Sequence, residues 1–206
     1  FLIWNQKPIN TVYHATNGGV MASVDEAWSI LPVPYLQMRL DGPKHWSRSV
    51  ALPLSNEKYL KSFLFSESEA FGSDHPLFRW ERTLDSSQIS RQLNQAKKVS
   101  YPFYPKKINA VRRGSSGRVT SLKIEGNTGS ELFLKLDDIR RVLGQLPSTL
   151  FVVKEIKEGK WLFSGGGFGH GVGMSQSGAI ELAKNRWSTK QILSHYYPKT
   201  KYGFLP

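Results

Sequence analysis

The stretch Ser164–Ala179, SGGGFGHGVGMSQSGA, carries the reading of this chain. Six of the nine residues from Gly165 to Gly173 are glycine. Glycine loses more backbone freedom on folding than any other residue. Such density therefore answers a requirement: dihedrals closed to other residues, or close approach of backbone to a ligand. Two phosphate-binding loops can be tested directly. A dinucleotide fingerprint needs glycine at i, i+2 and i+5, and no register here supplies it. A P-loop needs Gly-Lys-Ser/Thr, and no lysine stands between Lys160 and Lys184. Both nucleotide loops are excluded. What remains is His170 between Gly169 and Gly171, free of neighbouring side chains, then Gly173 and Met174-Ser175-Gln176 entering a helix. Ser175 suits an N-cap, and Ser175 with Gln176 offers the hydroxyl and amide that sugars and acetamido groups bind. The competing reading of the same residues is a structural glycine hinge with an interior histidine.

Working outward, Ser175–Trp187 reads as a helix and Thr189–Tyr196 as another, stopped by Pro198. Upstream, Leu150–Lys157 and Lys160–Phe163 form a predicted hairpin around Glu158-Gly159. Asp137-Asp138 opens a helix whose stripe is Leu136, Ile139, Leu143 and Leu146, closed by Pro147. Arg118–Glu125 pairs with Glu131–Lys135, and helices are predicted over Ser87–Ala96, capped by Asp85-Ser86, and over Glu57–Phe65. Residues 31–56, with Pro32, Pro34, Pro43 and Pro53, read as loop with short extended pieces. Pro8–Tyr13 reads as a strand ending in the turn His14–Gly19. Without βαβ regularity the expected class is α+β. We expect one mixed domain over residues 1–206, with short strands, hairpins, about four to five short helices, and a glycine-rich loop leading into a helix.

Composition narrows the function. The chain has 206 residues, 12% of them aromatic, so it is neither too short for a core nor disordered. Zero cysteine excludes disulfides, thiolate nucleophiles and Cys-ligated zinc. No apolar run approaches the roughly 18 residues of a membrane span. The chain opens on Phe1 with no signal-peptide pattern, and so reads as processed or as part of something longer. Lys and Arg number 28 against 16 Asp and Glu, and residues 86–124 hold nine basic side chains and no acidic one. That asymmetry suggests an anionic partner: nucleic acid, anionic lipid or acidic wall polymer. The plainer reading is a solvated basic face.

GGGFGHGVGMSQSGA resembles the signature of the sporulation stage II protein D / LytB amidase-enhancer family (SpoIID/LytB domain) of bacterial cell-wall proteins. The likeness runs along nearly the whole chain. Lys7-Pro8-Ile9, Tyr13-His14-Ala15-Thr16-Asn17-Gly18-Gly19, Trp28 and Tyr35-Leu36 resemble its first block. Gly117-Arg118-Val119, Ile139-Arg140 and Leu146-Pro147-Ser148-Thr149 resemble its middle markers. Ile192–Thr200 resembles its terminal segment. The resemblance implies a lytic transglycosylase that cleaves peptide-stripped glycan strands of peptidoglycan to 1,6-anhydro ends, or a non-catalytic peptidoglycan-binding module that stimulates a cell-wall amidase. It implies work outside the cytoplasm, in the cell envelope, with membrane contact only through segments outside this chain. A nucleic-acid-binding basic domain is the distant alternative, motivated by charge alone; the resemblance itself expects no nucleic acid.

On that resemblance His14, His170, Ser175 and Gln176 are the candidate catalytic residues. Thr16, Gly18, Gly19, Gly169, Gly171, Gly173, Trp28 and Tyr197 are the candidate substrate-binding residues. The chemistry needs one carboxyl of raised pKa to protonate the glycosidic oxygen. The family's glutamate lies upstream of the Tyr-His block in a segment absent from these residues. Glu26 is the nearest substitute, though Asp25-Glu26 reads more simply as a solvent-facing turn. Without cysteine the zinc site of some members cannot be built in the same way. His14, His170 and His195 lack the close spacing of metal ligands, so neither metal nor cofactor is expected. His195 is expected under the last helix with Tyr196 or Tyr197, and His45 and His75 in loops.

Overall fold

The computed structural model describes residues 1–99, 103–144 and 146–203. The N-terminal third holds β1 (Leu2–Trp4), β2 (Lys7–Pro8), β3 (Tyr13–His14), β4 (Val20–Met21), β5 (Arg39–Leu40), α1 (Lys44–Ser49) and α2 (Glu57–Phe65). The middle holds β6 (Arg79–Asp85), α3 (Ser86–Gln95), β7 (Pro105–Arg113), β8 (Val119–Gly126), β9 (Glu131–Lys135) and α4 (Asp138–Val142). The last third holds β10 (Phe151–Lys157), β11 (Lys160–Gly166), β12 (Met174–Ser175), α5 (Gln176–Lys184), α6 (Thr189–Tyr196) and β13 (Lys201–Tyr202). This is a mixed α+β domain, with six α-helices among the described residues.

Two three-stranded antiparallel sheets, β10-β11-β6 and β7-β8-β9, enclose the largest apolar cluster. In β8, Leu122 and Ile124 are fully buried while their neighbours are half-exposed, the period of a strand with one wet face. Helix α3 closes this cluster with Ile89 and Leu93. It starts where predicted because Asp85 and Gln88 form a reciprocal cap: Gln88 N–H donates to Asp85 Oδ1 at 2.8 Å and Asp85 N–H to Gln88 Oε1 at 2.9 Å. Such a cap contributes about 1 kcal/mol. Two further clusters lie around Tyr196, Tyr197 and Leu182, and around Leu54, Leu60 and Trp46. No helix among the described residues is long and apolar enough to cross a membrane.

Two sequence expectations are corrected, and one strand is added. Pro8–Tyr13 is not a strand; only its ends pair, Pro8 with Ile3 and Tyr13 with Met174, because the segment crosses between two small sheets. The proline-rich span contains the helix α1, which begins directly after Pro43, and His45 lies in it rather than in a loop. Proline at a helix entrance gives up no intrahelical hydrogen bond, so it starts a helix as readily as it breaks one. The strand β6, unassigned from sequence, is the edge partner of β11 along its whole length, Lys160 opposite Asp85 through Gly166 opposite Arg79.

The glycine density has its reason in the packing of two backbones on each other. A Cβ at Gly18, where φ is +71°, would lie 2.7 Å from the backbone of Gly166 and Gly167. One at Gly167 would lie 2.8 Å from Thr16 O. The turn after His14 and the ribbon before His170 are thus pressed together with no room for side chains.

Candidate functional site

The parallel pairing of β3 with β12 sets Tyr13 beside Met174 and His14 beside Ser175. Bridges Thr16–Phe168 and Ala22–Val172 extend the junction. The two segments singled out in the sequence, far apart along the chain, therefore form one surface. On it the His14 and His170 rings meet edge to face at 5.3 Å, and the Trp28 ring lies 4.7 Å from His170.

Both imidazoles are neutral, and their protons can be placed. Val172 N–H donates to His170 Nδ1 at 3.1 Å, so Nε2 carries the proton and donates to Tyr13 O at 3.0 Å. Burial lowers the His170 pKa to about 4. His14 Nδ1–H donates to Val172 O at 3.1 Å. Burial, with His170 and Arg118 adding to it, holds its pKa well below the ordinary value. Its Nε2 is then a buried lone pair, unpartnered among the described residues. The Nε–H of Arg118 is an unpartnered donor of the complementary kind.

Arg118, 1% exposed, is the cation beneath the ribbon. Its Nη1 donates to Val20 O at 3.0 Å and Ser116 Oγ at 3.2 Å, and its Nη2 to Asn17 O at 3.0 Å. Burial lowers its pKa to about 10, with Glu26 opposing, so it stays charged at neutral pH. Glu26 is the correction that matters most at this site. It does not face solvent; it is 3% exposed. Its Oε1 accepts from Ser115 Oγ at 2.9 Å and Ser116 N at 3.1 Å, and its Oε2 from the Ser116 hydroxyl. Asp137, whose charge is felt at His170, is clamped by Arg140 and Arg141, with Nε–Oδ distances of 2.5 and 2.9 Å.

The remaining candidates divide by exposure. Thr16 is buried and its hydroxyl accepts from Gly18 N at 3.4 Å. Gly18 and Gly19 both take positive φ, as do Gly169, Gly171 and Gly173. Ser175 is fully buried, and its hydroxyl caps α5 by accepting from Gly178 N at 3.2 Å. Gln176 is exposed at the first position of that helix. Tyr197 is buried, donates to Val12 O at 2.7 Å, and its pKa is pushed up to about 12 by burial. His195 stands apart from the other two histidines. It bonds Asp41 at 2.7 Å and packs edge-on against Tyr196 with rings 4.7 Å apart. Asp41, fully buried, also accepts from Asn17 Nδ2 at 2.6 Å and Tyr196 OH at 3.1 Å.

Sequence reasoning missed three features. Arg79 donates to Phe63 O and Leu64 O, each at 3.0 Å, and to Gly18 O at 2.8 Å, tying the end of α2 to the turn. A groove of about 890 Å³ opens beside Glu26, lined by Asp25, Ser115, Arg112, Lys135 and Phe133 among others. Four of the nine cations in the basic stretch 86–124 are committed within the fold, while Arg91, Lys97, Lys106, Lys107 and Arg112 lie exposed. Arg113 and Arg118 bond backbone carbonyls, Lys98 pairs with Asp138, and Lys123 with Glu125 and Glu131. The signal available for Glu26 was its place two residues before Trp28; for the groove there was none.

Against known proteins, the chain belongs to the family described as Domain of unknown function (DUF8618), whose model matches residues 22–173. That span includes Glu26, Arg118 and His170 but not His14. The chain is also similar to the amidase enhancer of Bacillus subtilis (strain 168), 27% identical over 223 residues, covering 97% of this chain and 30% of that protein. An uncharacterized protein of Brachyspira hyodysenteriae (strain ATCC 49526 / WA1) is 37% identical over 84 residues, 40% of this chain and 21% of its own length. The chain spans less than a third of the length of these curated relatives. The similarity to an amidase enhancer agrees with the amidase-enhancer side of the resemblance read from the sequence.

Proposed function

We propose that this chain binds peptidoglycan glycan strands in the cell envelope and supports a cell-wall amidase, with no cofactor. The observation that carries this reading is the state of the ionisable groups around His170. Both imidazoles are neutral. Glu26 is spent on three serine donors and Asp137 on two arginines. Among the described residues these two carboxylates beside the cluster are committed to structure. The surface is suited to hold a sugar rather than to protonate one. Tyr13, 59% exposed, and Phe168, 43% exposed, offer ring faces beside the polar backbone of the ribbon. Similarity to a protein named for enhancing an amidase points the same way.

Sedimentation with purified sacculi tests this. The chain should co-sediment, and Tyr13→Ala with Phe168→Ala should release it; wild-type chain left in the supernatant overturns the reading. A second reading, cleavage of peptide-stripped strands to 1,6-anhydro ends, is favoured by one atom, the unpartnered Nε2 of His14. That lone pair would accept a sugar hydroxyl if the ribbon moved aside. Mass spectrometry for anhydro products separates the two: their formation by residues 1–206 alone would oblige a carboxyl of this chain to be the acid.

A further inference from the structure

The groove of about 890 Å³ beside Glu26 is shaped by two irregularities in one sheet. Ala110 pairs with Leu122 but Arg112 with Ser121, which makes Val111 an extra residue in β7. Arg113 pairs with Val119, which makes Thr120 an extra residue in β8. Such bulges break the alternation of sides and re-aim side chains, often next to functional sites. Here Val111 and Arg112, consecutive in the chain, both line the groove, and so do Thr120 and Ser121. The segment before β5 adds Asp25 and Pro32 to the lining, and exposed Ile30 and Leu31 run up to that proline.

The fold does not use this lining up. Among the described residues Arg112, Lys135 and Asp25 make no side-chain hydrogen bond or ion pair, and the Thr120 hydroxyl is buried without a partner. Arg112, Ser121 and Lys135 stand in one row across the three strands. Strand spacing sets those two cations about 10 Å apart, with a hydroxyl between them. Phe133, 47% exposed, lies two residues before Lys135 in β9 and lines the groove with it, as does Val111, 51% exposed. Alternate residues of a strand are about 7 Å apart, so the apolar and cationic parts of this lining repeat at the spacing of an extended chain. Free cations outnumber the free carboxylate, which favours an acidic ligand. Asp25 and Glu26 on the same lining disfavour a polyanion.

We infer that this groove seats an extended polypeptide segment of a partner protein. An apolar side chain of that segment lies against Phe133 and Val111, and an acidic one two residues away lies between Arg112 and Lys135. Asp25 takes a backbone N–H or a basic side chain of the same segment. The site is separate from the His170 surface and does not rest on glycan binding there.

The test is an array of short end-capped peptides on a serine-threonine background. Each carries one Leu or Phe and one Asp or Glu, at every separation and in both orders, and retained peptides are titrated by fluorescence anisotropy. Peptides with the two groups at i and i+2 should bind about tenfold tighter than those with adjacent groups, or with Asn or Gln for the acid, the order expected for one charge-assisted contact at an open site. Arg112→Glu with Lys135→Glu should reverse the preference, from acidic peptides to the same peptides with Lys. Both side chains are exposed and unpaired, and circular dichroism confirms that the variant is folded. Retention of no peptide overturns the inference, as does a charge-reversed variant that still prefers acid. Equal binding at all separations overturns the extended seat. Displacement of the best peptide by a lower concentration of short polyphosphate or of peptide-free glycan strands overturns the polypeptide assignment.

Discussion

Replacing Glu26 by glutamine keeps the shape of the side chain and removes its charge. Three donors converge on the carboxylate, from Ser115 and twice from Ser116, and Ser116 Oγ also accepts from Arg118. Glutamine retains one acceptor oxygen and sets an NH2 group against a hydroxyl that must turn round. Arg118, 1% exposed, then lacks its opposing charge. Breaking a buried pair on one side costs about 3–5 kcal/mol. Because Arg118 keeps its bonds to Val20 O and Asn17 O, the lower end applies. A loss of about 3 kcal/mol lowers the melting temperature by roughly 6–12 °C in a chain of this size. Urea unfolding followed by tryptophan fluorescence measures it directly. Adding Arg118→Met should restore part of the loss, since the orphaned charge goes with it. A loss below about 1 kcal/mol would refute the structural role. Unchanged stability with abolished glycan binding or cleavage would instead make Glu26 a working acid.

Three other outcomes can be checked with the same material. Stability should fall as pH drops below about 6.5 and level off near pH 4 as far as His170 contributes, because the unfolded chain binds its proton more readily than the folded one. His14 adds to the same slope in the same direction, and His170→Gln should flatten it in pH-resolved urea titrations. Gly171→Ala should cost about 3 kcal/mol or more, since φ there is +79° and the new methyl would overlap the Arg118 guanidinium; thermal melts read it. Asp41→Asn should cost about 2–4 kcal/mol in the same melts, as Asn17, His195 and Tyr196 all donate to that buried carboxylate.

How much of this was legible depends on what fixes each element. The helix predicted over Glu57–Phe65 is observed over the same residues, and the one predicted over Ser87–Ala96 is observed as Ser86–Gln95. Both carry their own cap and stripe, so local chemistry suffices. The hairpins at 118–135 and 150–163 are likewise local. β6 was not legible, because its Arg79–Asp85 pattern follows neither period and its identity comes from β11 alongside it. Glu26 misled for a related reason. An acidic pair before a tryptophan looks like a surface turn until a serine-rich turn from a distant hairpin arrives to bond it. The glycines of 165–173 announced close approaches, but the neighbours belong to the chain itself: the backbone of 16–18 at Gly167, His14 at Gly169, the Arg118 guanidinium at Gly171 and Val12 O at Gly173.

That last point bears on why so much charge is buried here. Buried ion pairs are weak devices for stability, since desolvation offsets most of their attraction, but directional bonds can select one arrangement among several. Two glycine ribbons pressed together have no side chains to interlock, so apolar packing cannot hold their register. Directional bonds do so instead. Arg118 grips Asn17 O and Val20 O on one ribbon; His14 bonds Val172 O and His170 bonds Tyr13 O across the seam, and Val172 N–H orients His170 from within its own ribbon. Asp41 fixes Asn17 from the other side through α6. On this account the imidazoles are fasteners, and their neutrality is what the seam requires. A protonated His170 could not accept from Val172 N–H, and a protonated His14 would add a second cation beside Arg118. The same fastening leaves Tyr13 and Phe168 standing outward on a rigid base, the condition under which exposed rings bind a sugar without first losing much freedom of their own.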